Sequence, residues 1–347
     1  MPTNTPVGVL WPRAAVDGET VHVMAITTPT GGLGGEIYEG VNIHPLYYRS
    51  SDGGATWDVV DFIIPGLDST FMKNLVTADC YYIDARDGVV AIGVFSQWND
   101  IVVFKSLDGG DTWEKHTVFD FPLDNYEINE GYAPEDLPPF DTLNQPDTLA
   151  IFTSDNSGTI IIDKVGTVHA FYGEMWVQDA DTTDTGWTFY PGTSGLSYWN
   201  ESFGNDSTMT IADAVDLNGN DTLDIESIAN IGTYFMSLTS MPTASVDEEN
   251  RIYLIYYGVM EGGESIDLND DQHYRHLFLV YSEDGGSTWS EPMDLITESI
   301  IEDELFLTII EAIAPSLVRD ITDDLKFIYQ QDFRPGWSTR GDMDPTE

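Results

Sequence analysis

An octapeptide of the form Ser-x-Asp-Gly-Gly-x-Thr-Trp recurs three times in the chain, as Ser50 to Trp57 (SSDGGATW), Ser106 to Trp113 (SLDGGDTW) and Ser282 to Trp289 (SEDGGSTW). Repeats of this kind constrain architecture before any single residue does. A weaker copy, Thr182 to Phe189 (TTDTGWTF), keeps Asp184, Gly186 and Thr188 and puts Phe189 where the others have Trp. The Gly-Gly pair supplies the positive φ that a reversal between antiparallel strands requires. The carboxylates of Asp52, Asp108 and Asp284 are placed to accept backbone N–H bonds from their own turns, with the hydroxyls of Thr56, Thr112 and Thr288 closing the loops. Trp57, Trp113 and Trp289 then plug the turns with a large amphipathic ring. Local turn chemistry accounts for every fixed position, including Ser50, Ser106, Ser282, Gly54, Gly110 and Gly286, without a ligand.

These motifs resemble the Asp-box, or BNR repeat, of sialidase-like β-propellers. The resemblance implies an all-β fold of four-stranded antiparallel blades, with each box on the outer turn between third and fourth strands, away from the channel where substrates bind. On that reading the boxes report fold and not activity.

A second periodicity supports the blade reading independently. An Asp introduces an apolar strand at five nearly evenly spaced places: Asp17 before VHVMAI, Asp84 before VVAIGVF, Asp163 before VHAFYG, Asp247 before IYLIYYG and Asp320 before LKFIYQQ. Runs beginning at Val21, Val89, Val168, Ile252 and Leu325 are apolar on both faces, as strands sandwiched between neighbouring blades would be. Each unit reads strand, strand, strand, box, strand. The expectation is one propeller domain over residues 1–347, of five or six blades, with units near 11–65, 78–120, 155–212, 240–296 and 314–347. No third strand or box is recognisable after Asp320, so either the N-terminal residues complete the last blade or the chain is a fragment of a longer protein.

Three further segments, SGLSYWNES (Ser194 to Ser202), TSMPTASVDEENRIYLIYY (Thr239 to Tyr257) and APSLVRDITDDLKFIYQQDFRPG (Ala314 to Gly336), resemble secreted BNR-repeat proteins of Bacteroidota exported by type IX secretion. That resemblance implies an extracellular or cell-surface location. The opening MPTNTPVG lacks the basic start and apolar core of a signal peptide.

Sixty acidic residues against thirteen basic ones give a formal net charge of −47. Such a surface repels nucleic acid and anionic membranes, which are excluded as partners. No apolar run approaches the eighteen or so residues of a membrane-spanning helix; the nearest, LFLTIIEAIA, is interrupted by Glu311. The single cysteine, Cys80, excludes an internal disulfide and reads as a small buried hydrophobe.

Excess carboxylate also suits calcium, which takes six to eight oxygen ligands. The best candidate for structural calcium is Asp216, Asn218, Asn220 and Asp224, at positions 1, 3, 5 and 9 of an EF-hand-like loop. Asp221 stands where that pattern needs Gly, and Ser227 where it needs Glu. Asp267, Asn269, Asp270 and Asp271 form a weaker acidic run. His273 and His276 share a transition-metal spacing in a polar segment, although isolated histidines are more often plain surface residues.

For catalysis, the resemblance implies three arginines clamping a substrate carboxylate, the first in an Arg-Ile-Pro motif, with an Asp acid and a Tyr activated by a Glu. No Arg-Ile-Pro occurs; the nearest sequence is Trp11-Pro12-Arg13. Arg13 and Arg319 fall in first strands, where side chains can reach a channel, and pairing with local acids is the blander account. Two functions remain. One is a non-catalytic binding module for glycan or extracellular protein, with Trp98, Trp176, Trp187, Trp199 and Trp337 available to stack on sugars. The other is a divergent sialidase-like glycoside hydrolase.

The charge carries a prediction. A surface this acidic repels itself, and salt relieves the repulsion over a Debye length of about 8 Å at physiological ionic strength and less in brine. Such a surface suits a marine or halophilic source, and the melting temperature is expected to rise between low and molar sodium chloride; equal values would remove that expectation.

Overall fold

Each hairpin turn is written in the residues that make it. Between β5 (Tyr81–Arg86) and β6 (Val89–Val94), Asp87 and Gly88 both take positive φ, 50° and 80°, as the type I′ turn of a two-residue hairpin requires. A computed structural model describes residues 2–75, 77–138, 149–181, 183, 186–225, 228–231, 234–262, 265–267, 271–296 and 310–336. Among these the chain is all-β, with short 3-10 turns and no α-helix.

The repeating unit is the four-stranded antiparallel meander of a β-propeller blade. The first is β1 (Val9–Asp17), β2 (Thr20–Thr27), β3 (Pro45–Ser50) and β4 (Val59–Phe62), hydrogen-bonded in that order. The second is β5, β6, β7 (Ile101–Ser106) and β8 (Glu114–Phe119). The third contains β9 (Ile151–Ile162), β10 (Val168–Gln178), β12 (Leu196–Asn200) and β13 (Met209–Ala212), with the two-residue β11 (Thr188–Phe189) added beside β10. The fourth is β14 (Thr239–Asp247), β15 (Ile252–Val259), β16 (Arg275–Ser282) and β17 (Met293–Asp294). Beyond it, β18 (Glu311–Leu317) pairs with β20 (Phe327–Asp332), and β19 (Asp320–Ile321) adds parallel to β14.

The chain divides into two compact units: residues 1–170, 176–188 and 199–208, and residues 171–175, 189–198 and 209–347. In the first unit β5 packs beside both β1 and β9, so the first strands of consecutive meanders are neighbours. In the second, β18 packs on β14. Second strands are buried on both faces, as expected of sandwiched strands, while the outer β4, β8 and β17 are half-exposed. Val89, Val168 and Ile252 open β6, β10 and β15. The fifth run departs from this pattern: β20 begins at Phe327 rather than Leu325 and alternates in burial, with Ile328 75% exposed. Phe327 and Tyr329 pack on the core of the second unit while Ile328 between them faces out, so only one face of β20 is covered.

The leading aspartates do two jobs. Asp17 Oδ2 accepts the Gly88 N–H at 2.6 Å and Asp84 Oδ2 accepts the Ile162 N–H at 2.7 Å, each tying a meander to the next. Asp163 and Asp247 instead close their own turns, accepting from Val165 and Thr167 and from Glu249 and Arg251.

All three Asp boxes lie between third and fourth strands, with one bonding pattern. The Ser hydroxyl donates to Asp Oδ1 and accepts the second Gly N–H; the Thr N–H and hydroxyl donate to Asp Oδ1 and Oδ2, all at 2.6–2.9 Å. The box also ties to the first hairpin turn of its meander, through Gly53 N–H to Glu19 O and Gly109 N–H to Gly88 O, both 2.9 Å. The indole does more than plug its own turn. Trp113 sits edge-on to Tyr47 of the preceding meander at 5.1 Å, and Trp289 sits edge-on to Tyr198 at 5.1 Å. A Cβ on Gly110 would meet the Tyr47 hydroxyl at 2.1 Å, and one on Gly286 the Tyr198 hydroxyl at 1.8 Å. Gly54 faces open space, and Trp57 packs on Tyr48 of its own meander.

The weaker copy is placed differently. Asp184 lies outside the described residues, while Gly186, Thr188 and Phe189 belong to the connection between β10 and β12. The turn after β12 is residues 201–208, where Asn200 Oδ1 accepts from Ser202 and the Trp199 indole N–H donates to Gly204 O. Spacing alone puts the copy in a box position, and the structure puts it in the long second-to-third strand connection instead.

These seats order the glycine substitutions. Gly54→Ala is expected to cost about 1 kcal/mol from its positive φ, and Gly110→Ala and Gly286→Ala about 3 kcal/mol or more, because overpacking adds to strain. Urea midpoints at constant m-value check the order.

Candidate functional site

The boxes and first hairpin turns share one end of each meander, so the opposite end is formed by first-strand starts, second-to-third strand connections and fourth-strand ends. The box aspartates are spent on structure. Thr56 N–H and hydroxyl hold Asp52 below the ordinary carboxylate range; Thr112 does the same for Asp108, and Thr288 lowers Asp284 to about 2.

In the first unit, aromatic rings gather at the opposite end. Phe119 closes β8, Phe152 opens β9 and Trp176 lies near the end of β10; Phe152 is edge-on to Phe119 at 5.4 Å and to Trp176 at 5.6 Å, all half-buried. Trp98, in the connection between β6 and β7, meets Tyr126 at 5.4 Å, Trp187 at 5.7 Å and Phe121 at 6.0 Å. The Tyr126 hydroxyl donates to Asp179 Oδ2 at 2.7 Å, and the Asn129 N–H donates to the same oxygen at 2.8 Å. Burial first, then that carboxylate, push the Tyr126 phenol far above its ordinary value, so it stays a neutral donor. Tyr132 N–H donates to the Asp179 carbonyl at 2.9 Å. Beneath this segment Trp98 Nε1, Asp179 Oδ1 and Gln97 Oε1 are buried without a hydrogen-bond partner in the structure. Two expected sugar platforms are corrected: Trp98 and Trp199 are fully buried, Trp98 under these rings and Trp199 by its bond to Gly204 and contact with His116. Trp337 lies outside the described residues.

In the second unit the same end holds a buried ionisable trio. Glu311 opens β18, Arg275 opens β16, and Tyr234 precedes β14; their exposures are 1%, 0% and 0%. The Arg275 guanidinium lies 3.6 Å from the Tyr234 ring centroid, and its backbone N–H donates to Glu311 Oε2 at 2.6 Å. The Tyr234 hydroxyl donates to Glu311 Oε1 and accepts the Gly336 N–H. Tyr274 donates to the Phe333 carbonyl at 3.0 Å, so residues 333–336 are tied at one end to Tyr274 and at the other to Tyr234. Burial raises Glu311 from an ordinary 4.5 to about 7 against the pull of Arg275. Burial and the Glu311 charge also push Tyr234 far up, away from a reactive phenolate. Neither Tyr234 nor Arg275 carries a sequence motif. The one signal was Glu311 itself, an acid inside an apolar run, where a charge needs a partner.

Other expected sites resolve locally. Asp216 accepts N–H bonds from Gly219, Asn220 and Asp221, and Asp224 accepts the side-chain amides of Asn218 and Asn220, so the four calcium candidates do come together, bonded to one another and their own loop. Ser227, Asn269 and Asp270 lie outside the described residues. His273 Nδ1 meets the Met260 carbonyl at 2.7 Å and His276 Nδ1 meets Asp294 at 2.8 Å. Among the described residues no three His, Cys, Asp or Glu side chains group as metal ligands. Arg13 pairs with Asp79 and Arg319 with Asp320. Cys80 is buried, and its thiol is pushed up to about 12. Among the described residues no helix is long and apolar enough to cross a membrane.

No protein-family model matches the sequence, and no curated protein matches it. Solved structures similar to the chain include an ulvan lyase (11% identity, TM-score 0.44, covering 92% of this chain and 63% of that one). An α-L-arabinanase of Penicillium chrysogenum complexed with arabinobiose is similar at 13% identity and TM-score 0.41, covering 89% of this chain and 70% of that one. A Hadza microbial sialidase is similar at 14% identity and TM-score 0.36, covering 90% and 48%. The chain thus spans less than two thirds of the ulvan lyase and about half of the sialidase. These scores equate no residue here with a residue of those enzymes.

Glu311 gives the pH prediction. Its folded form holds a proton more tightly than the unfolded chain, so it subtracts stability as pH rises from about 4.5 to about 7 and no further above that. Glu311→Gln is expected to flatten this slope in urea midpoints taken across that window. The box aspartates work in the opposite sense, losing their contribution as pH falls below the ordinary carboxylate range.

Proposed function

We propose that the chain is a non-catalytic glycan-binding module: an extracellular or cell-surface β-propeller of five or six blades whose binding end lies opposite the Asp boxes. The carrying observation is the gathering of half-buried rings, Phe119, Phe152, Trp176 and Trp187, at that end of the second and third meanders. Aromatic faces offer sugar C–H groups an apolar platform, and a few placed polar groups fix orientation. The net charge of −47 favours uncharged sugars over polyanions.

One observation favours a divergent glycoside hydrolase instead. Tyr234, Glu311 and Arg275 bring together a phenol, a carboxylate and a cation, the groups that the Asp-box resemblance implies for sialidase-like chemistry. Against it stand the complete burial of the trio and the strongly raised Tyr234.

A glycan array run beside a panel of fluorogenic glycosides separates the two readings. Binding of neutral glycans without turnover is expected. Turnover abolished by Glu311→Gln, in a variant that melts like the parent, would replace the binding reading with the enzymatic one.

A further inference from the structure

We propose that Tyr126 is a built-in stand-in for a sugar, occupying a saccharide subsite that an uncharged glycan takes by displacing it; this rests on the glycan-binding reading. Tyr126 does what a bound pyranose would do. Its ring lies against Trp98 at 5.4 Å and 31°, and its one hydroxyl donates to the buried carboxylate of Asp179 at 2.7 Å.

The two residues that hold Tyr126, Trp98 and Asp179, offer more hydrogen bonds than Tyr126 can use. Asp179 Oδ1 and the Trp98 indole N–H are both buried without a partner, in residues 2% and 1% exposed, and Gln97 Oε1 beside Trp98 is in the same state. Each unmet group bears its desolvation cost until a partner reaches it. A pyranose carries several hydroxyls around one ring, so one can donate to Asp179 Oδ1 while another accepts from Trp98 Nε1. Trp187, half-buried at 5.7 Å from Trp98, adds a second ring to the same wall.

The covering segment is attached in a way that a ligand can undo. Two of its anchors, the Tyr126 hydroxyl and the Asn129 N–H, end on the same oxygen, Asp179 Oδ2. A hydroxyl that captures that carboxylate competes with both at once. Between Phe121 and Tyr132 the chain exposes Asp124, Glu127, Asn129 and Glu130 and takes left-handed φ at Asn125, Asn129 and Gly131. Asp124, Glu127 and Glu130 with Asp179 turn away acidic sugars.

Isothermal titration calorimetry of the whole chain tests this, with hexasaccharides of cellulose, xylan, laminarin and chitin as neutral probes and polygalacturonate as the anionic control. Tyr126→Ala is expected to bind at least one neutral probe about tenfold more tightly than the parent. Tyr126→Phe, which keeps the ring, should gain a few-fold, and Asp179→Asn should lose about tenfold. Binding by Tyr126→Ala where the parent shows none also supports displacement. If the parent binds a neutral probe and neither Tyr126 variant binds it more tightly, the stand-in role is overturned while glycan binding stands. If parent and both Tyr126 variants, folded by circular dichroism, bind no neutral probe, both readings fall. Preference for polygalacturonate would overturn the assigned sugar class and with it the proposal.

Discussion

The structure depends on a carboxylate satisfied within its own turn. Asp52, Asp108 and Asp284 each bond the Thr that follows in the same turn and the Ser that precedes it, and the closed loop holds two consecutive glycines at positive φ. Once the loop is rigid its second glycine presents bare backbone, and where a tyrosine hydroxyl stands opposite, as at Gly110 and Gly286, the contact leaves no space for a side chain. The indole then covers the joint from the side. Local hydrogen bonding and tertiary packing are thereby joined in eight residues, and the adjacent strands inherit their separation from that joint.

The architecture was legible because its determinants are local. Turn residues, lead aspartates and two-sided apolar runs gave the starts of β6, β10 and β15 to the residue, since a hairpin reads only its own sequence. The weak copy at residues 182–189 went elsewhere because the insertion between β10 and β12 reproduces turn chemistry without the preceding third strand. Of the last unit, the run after Asp320 was read as buried on both faces, and β20 alternates, because burial depends on what covers a strand and not on its composition.

The sites were less legible for the same reason. Tyr234, Arg275 and Glu311 are brought together only by packing in the second unit, and none carries a motif. Trp98, a sugar platform on composition alone, is instead buried against Tyr126, a residue that carries no motif. Excess acid hid the informative carboxylates among many solvated ones. Burial, which Asp179 and Glu311 share with a few others such as Asp155 and Asp163, is a property of the fold.

Tyrosine seats are not universal. Tyr47 and Tyr198 stand on the third strands β3 and β12, each opposite the box of the meander that follows, whereas β7, after which no box comes in the next unit, has no tyrosine. The three boxes are nearly interchangeable in sequence, yet their receptors are not. Succession along the chain is therefore encoded at the joints: a shuffled or duplicated repeat would fold its own corner and still lack a fitting neighbour, which gives near-identical modules a fixed order.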